Sequence, residues 1–115
     1  MSSIAGVDTR LRALIAAIEG RARAPIGRTL HIHQLDGLRT EAMVHLEVAG
    51  VRVVWKHGKG DCAITGAGAA ILALLNGEQE AARLEAEGGL ILYGDRELVE
   101  RTPSIFASTV DGAAR

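Results

Sequence analysis

The 115-residue chain is poor in aromatic side chains, which make up 3% of it, so any core must be assembled from Leu, Ile, Val and Ala. It has one cysteine, Cys62. A single thiol cannot close an internal disulfide, and nothing points to an oxidising compartment. Cys62 lies in the apolar-flanked run Asp61-Cys-Ala-Ile-Thr65 and reads as a small core residue. There is no surplus of positive charge, the formal net charge being −1. Nucleic-acid binding and attraction to an anionic membrane therefore lack electrostatic support. Long hydrophobic runs are also missing. The longest, Ala69 to Leu75, falls far short of the roughly 20 residues a membrane-spanning helix needs. The start, Met1-Ser-Ser-Ile-Ala-Gly6, has neither the basic patch nor the long apolar stretch of a signal peptide. The expectation is a soluble, cytoplasmic domain with no nucleic-acid partner and no integral membrane association.

Catalytic signatures are equally sparse. Ser2, Ser3, Ser104 and Ser108 lie near the termini or in a helix, and none sits in a Gly-x-Ser-x-Gly elbow. Gly58-Lys-Gly60 and Gly66-Ala-Gly68 are glycine-rich, but neither makes a Gly-x-x-x-x-Gly-Lys-Ser/Thr phosphate loop. Gly66 and Gly68 lie near a helix start, where backbone N–H groups could hold an anion, although loop flexibility explains them more simply. The paired acids Glu78 and Glu80, and Glu85 and Glu87, read as a solvated helix face. No cofactor or metal is expected.

What is present is aliphatic residues, within a 48% apolar composition, at helix and strand periods. Val7, Leu11, Leu14, Ile15 and Ile18 recur at helical spacing, which predicts an amphipathic helix from about Val7 to Arg23. Asp8 or Thr9 would cap it, and Pro25 and Gly27 end it. Three strands follow: Thr29–Leu35, Glu41–Val48 and Val51–Lys56. Each alternates apolar and polar faces, and Asp36-Gly37 and Ala49-Gly50 form the turns. His57-Gly-Lys-Gly60 reads as a loop, and Cys62–Thr65 as a short strand. Helices are expected over Ala67–Leu75 and Glu78–Glu87, stopped by Asn76-Gly77 and Gly88-Gly89. Leu90–Tyr93 is a strand. Asp95 caps a last helix that runs through Leu98 to Phe106, which Pro103 should kink or divide. The order is α, three β, β, α, α, β, α in one domain, residues 1–115, with frayed ends at 1–6 and 108–115.

Residues 61 to 106 carry a more specific series. Asp61-Cys-Ala-Ile-Thr65 leads into a helix ending Ile71-Leu-Ala-Leu-Leu-Asn-Gly77. Eleven residues later comes Gly88, then Gly89-Leu-Ile-Leu-Tyr-Gly-Asp95 and the helix Leu98 to Phe106. This series resembles the sterol carrier protein type two family. The resemblance implies an α+β fold, a mainly antiparallel sheet of about five strands covered by helices. It also implies a non-catalytic carrier for a sterol, fatty acid or fatty acyl chain held in an aliphatic cavity. The lining would come from Val44, Leu46 and Trp55 of the sheet, from Ile71, Leu74, Leu75 and Leu84, and from Leu98, Ile105 and Phe106. Two other readings stand beside it. One is an interaction module with a collapsed cavity, forming a homodimer. The other is a metal-dependent enzyme in which His31 and His33 on one strand converge with His45 on the next.

Overall fold

The computed structural model describes residues 3–107, with side chains from Gly6 onward. Its elements are α1 (Ser3–Ala17), β1 (Arg28–Gln34), β2 (Glu41–Glu47), β3 (Gly50–Val54), β4 (Cys62–Gly66), α2 (Gly68–Leu75), α3 (Ala81–Ala86), β5 (Leu90–Gly94), α4 (Arg96–Glu100) and α5 (Thr102–Ile105). The expected ends at 108–115, with Met1 and Ser2, lie outside the described residues.

The strands form one sheet in the order β3-β2-β1-β4-β5. All neighbours are antiparallel except β1 and β4, which run parallel. Consecutive antiparallel strands can turn back directly, whereas a parallel pair needs a crossover. Here residues 55–61 carry the chain from β3 across β2 and β1 to β4. At strand spacing that is about 14 Å, so the short segment must lie flat on the sheet. Gly58 and Gly60 make this possible. A Cβ on Gly58 would come within 2.8 Å of Met43 Sδ, and one on Gly60 within 2.7 Å of the Thr29 carbonyl oxygen.

The helices occupy the opposite face. Leu30 and Ile32, Ala42, Val44 and Leu46, Val51 and Val53, Ile64 and Leu90 alternate toward them. They meet Leu11 and Ile15 of α1 and Ile18 just after it, with Ile71, Leu72, Leu74, Leu75, Leu84, Leu98, Val99, Ile105 and Phe106, in one continuous core. Both anticipated helix stops are Schellman motifs. Glu78 N–H donates to Ala73 O (2.8 Å) after Gly77 at φ +75°, and Gly89 N–H donates to Leu84 O (2.9 Å) after Gly88 at φ +83°. Asp95 caps α4 by accepting from Leu98 N–H (3.2 Å).

Several expectations are corrected. α1 begins at Ser3 and ends at Ala17, so Asp8 is not its cap. Asp8 is instead buried, accepting from the Gln34 side-chain amide. The chain leaves α1 early because Gly20 and Arg21 pair with the free edge of β3, through Gly20 N–H to Val51 O (2.7 Å) and Val51 N–H to Arg21 O (2.8 Å). The β2–β3 turn residues are Val48-Ala49, with Gly50 already in the strand. β3 stops at Val54, and Trp55 lies outside the core, 38% exposed, its ring 4.6 Å below the Arg12 guanidinium. The last helix, by contrast, divides as expected: the break falls at Arg101, and Pro103 sits in the first turn of α5 where its missing N–H costs nothing.

Polar groups fasten the ends of the sheet. Gln34, 1% exposed, donates to Asp8 and Asp36 and accepts from Thr40 N–H. Asp36 also accepts from Gly68 N–H (2.9 Å), so the start of α2 is occupied by the chain's own carboxylate, and the anion reading of Gly66 and Gly68 is answered internally. Replacing Gln34→Leu strands the buried Asp8 carboxylate and the Thr40 N–H. We expect a loss of about 3 kcal/mol or more in urea unfolding. The Gly68 N–H bond holds the Asp36 carboxyl below its ordinary pKa, against the upward push of burial. Its stabilising contribution is therefore complete above the ordinary carboxylate range and is lost as pH falls through the folded value. Asp36→Asn should lower the urea midpoint at neutral pH and flatten its decline on acidification. An unchanged acid limb would remove Asp36 from that role.

Candidate functional site

The helical face bears a groove of about 430 Å³ between the end of α2, the α2–α3 turn, α3 and the α4–α5 joint. Leu74, Ala81, Ala82 and Pro103 supply its apolar wall, and Gly77, Gln79, Glu80 and Glu100 complete it. Its volume lies within the usual range of small-molecule sites. Leu74 is itself a core residue, so the floor of the groove is continuous with the aliphatic interior. The rim is acidic. Glu80 and Glu100 are exposed, and among the described residues neither has a salt-bridge partner.

Of the ten candidate lining residues, nine come together. Val44, Leu46, Ile71, Leu74, Leu75, Leu84, Leu98, Ile105 and Phe106 are each at most 5% exposed and belong to the one core. Leu74 alone among them also lines the groove. Trp55 does not join them. The groove residues that pattern reading missed are Glu80, which looked like part of a solvated helix face, Glu100, which carried no signal, and Gly77 and Pro103, which looked like punctuation. Gly77 and Pro103 meet because α2 packs on α5: a Cβ on Gly77 would lie 3.5 Å from Pro103 Cβ.

α5 is a thin wall over this side of the core. It is held by Arg23, whose guanidinium donates to Ile105 O (2.7 Å) and Ala107 O (2.8 Å), covering carbonyls that a helix end leaves without partners. At the other end of the helical face, Arg28 joins β1 to Asp95, the α4 cap, and to Asp61 before β4.

On the opposite face the histidines do not converge as the metal-enzyme reading expected. His45 stands across from Thr29, and its Nδ1 lies 3.2 Å from Thr29 Oγ1. Its place is taken by Glu41 and His57. Glu41 Oε2 accepts from His31 Nε2 and from His57 Nδ1, both at 2.6 Å, and Glu41 Oε1 is 3.7 Å from His33 Nε2. Burial raises the Glu41 pKa, but the bonds from His31 and His57 and the nearby His33 outweigh it, and the net shift is downward. Glu41 was not among the sequence candidates. The signal was present, because His33 faces Glu41 in the β1–β2 register, but that register had to be known first.

Cys62 is 1% exposed in the core. Burial, followed by the charges of Asp95 and Asp61, pushes its thiol up to about 12. A thiol protonated at neutral pH is neither a nucleophile nor a ready metal ligand.

No family model matches the sequence, and no curated protein matches it. Solved structures do match its fold. The UbiJ-SCP2 ubiquinone synthesis protein superimposes with a TM-score of 0.62 at 18% identity, over 89% of this chain and 93% of that one. Sterol carrier protein 2 of Yarrowia lipolytica, in its apo form, gives 0.53 at 16% identity over 89% and 77%. Sterol carrier protein 2 of Aedes aegypti, solved in complex with the C16 fatty acid palmitate, gives 0.59 at 15% identity over 91% and 96%. The chain has the SCP2-like α+β fold that residues 61–106 implied. Among the described residues no helix is long and apolar enough to cross a membrane.

The buried thiol makes a direct prediction. Iodoacetamide at mildly alkaline pH should leave Cys62 unmodified in the folded protein and alkylate it promptly in denaturant, as mass spectrometry would read. Rapid alkylation of the folded chain would mean that the site opens.

Proposed function

We propose that this SCP2-fold chain binds and carries a single apolar molecule, without transforming it, in the groove between α2, α3 and α5. The ligand's polar end is uncharged. The acidic rim carries this reading. A bound carboxylate at the mouth would face Glu80 and Glu100, and each like pair at roughly 6 Å costs about 1–3 kcal/mol at surface dielectric values. Sterols, acyl esters and isoprenoids avoid that penalty, and the amide of Gln79 could hydrogen-bond their oxygens. Their hydrocarbon part gains about 0.8 kcal/mol for each methylene removed from water. Two neighbours support the class of ligand. The Aedes aegypti protein was solved with the C16 fatty acid palmitate, which supports the apolar tail and not the uncharged head, and another neighbour is described as a ubiquinone synthesis protein. The short helix α5, which carries Ile105 and has Phe106 at its C-cap, packs against α2 with its Ile71 and Leu75, so a long chain enters by displacing α5 from the core.

Thermal melts with lipids provide the test. A neutral sterol or an acyl ester at about a hundredfold excess over its Kd should stabilise the protein by about 2.7 kcal/mol, a rise of many degrees for a domain this small. Palmitate should bind at least tenfold more weakly. The Glu80→Gln, Glu100→Gln double variant should close that gap. Failure of every neutral lipid to shift the melt, with no lipid adduct in native mass spectrometry, would overturn the proposal. A palmitate preference equal in both proteins would overturn the uncharged-head assignment alone.

A further inference from the structure

The back of the sheet holds a second constellation, remote in character from the apolar groove. We propose that His31, Glu41 and His57 form a binding site for one divalent transition-metal ion of the zinc type. It would clamp the β3–β4 crossover to the sheet.

The three donors come from three segments. His31 is in the middle of β1, Glu41 opens β2, and His57 rides on the crossover. One ligand atom from each lies within 4.8 Å of the others. The imidazoles of His31 and His57 stand edge to face, with centroids 5.3 Å apart, and both ring nitrogens aim at the same carboxylate oxygen. His33, its ring centroid 5.7 Å from that of His31, adds a further nitrogen 3.7 Å from the other Glu41 oxygen.

The geometry suits a metal. Zinc takes nitrogen at about 2.0–2.1 Å and carboxylate oxygen at about 2.0–2.2 Å, which sets its ligands about 3.3 Å apart. The present 2.6 Å hydrogen bonds would therefore open by less than 1 Å. His57 can supply that movement, because its side chain is 80% exposed on a loop, whereas His31 and Glu41 stay anchored in strands. On binding, the ion takes the place of the N–H proton that each ring now points at Glu41. In the neutral imidazole that proton passes through solvent to the far ring nitrogen, so the step balances with no redox partner or further reactant. Two nitrogens and one carboxylate are a poor set for calcium or magnesium, which require oxygen, and a good one for zinc, nickel or copper.

The consequence is mechanical. The crossover has little apolar anchorage of its own beyond Gly58 over Met43. A metal joining His57 to β1 and β2 would pin it at a second point.

Untagged protein titrated with Zn²⁺ in a calorimeter should show one saturable site. Co²⁺ in its place should give a visible ligand-field band of four-coordinate type. Zn²⁺ should also slow tryptic cleavage after Lys56 and Lys59 several-fold, a readout that a surface ion elsewhere would not move. His57→Ala leaves the sheet intact and should weaken binding at least tenfold and abolish the protection. Glu41→Gln should do the same, while His45→Ala should leave both unchanged. Absence of saturable binding, undiminished affinity in His57→Ala, or loss with His45→Ala instead would overturn the site.

Discussion

Residues 55–61 carry the chain from the β3 edge, across the backs of β2 and β1, to a parallel pairing with β1. The length of that segment constrains much of the molecule. A crossover so short has no room for a helix, so it lies against the sheet as bare backbone, with Gly58 and Gly60 where a side chain would collide. Once one face is crossed in this way, the helices gather on the other. The apolar core becomes a single layer between sheet and helices, and the groove opens within that helical layer. The crossover also delivers His57 to a face where β1 and β2 already place His31, His33 and Glu41.

The two faces thus have different chemistry for one structural reason. The helical face excludes water, so its floor is aliphatic and binding there follows apolar area. Its outer rim is made by the ends of short helices, where Glu80 and Glu100 stand without cationic partners among the described residues. The crossed face is only partly covered. Polar side chains persist there, and Glu41 is held ionised by hydrogen bonds rather than by exposure.

Much of the fold was legible in the chain. Alternation located β1 to β3, because one buried face imposes a period of two. Asn76-Gly77 and Gly88-Gly89 stopped their helices through glycines at positive φ, and Asp95 capped α4. The misses have a common cause. α1 ended early and β3 stopped before Trp55 because of partners distant in sequence. Gly20 and Arg21 were taken by the edge of β3, and Trp55 by Arg12 of α1. The site was less legible still. Nine apolar candidates are buried together, yet burial alone does not separate a filled core from a ligand wall. The residues that shape the opening, such as Pro103 and Glu100, carry no periodic signal.

By itself, then, the sequence determined the classes of element, their order, the faces of the strands and the aliphatic character of the interior. These depend on local backbone preference and on hydrophobic period, which act within a few residues. Tertiary structure alone decided the strand order, the parallel β1–β4 pair, the exclusion of Trp55, the acidic groove and the substitution of Glu41 and His57 for His45 beside His31. Each of these is a register or packing relation between segments, and such relations are set by which surfaces can be buried at once. No local spacing records them.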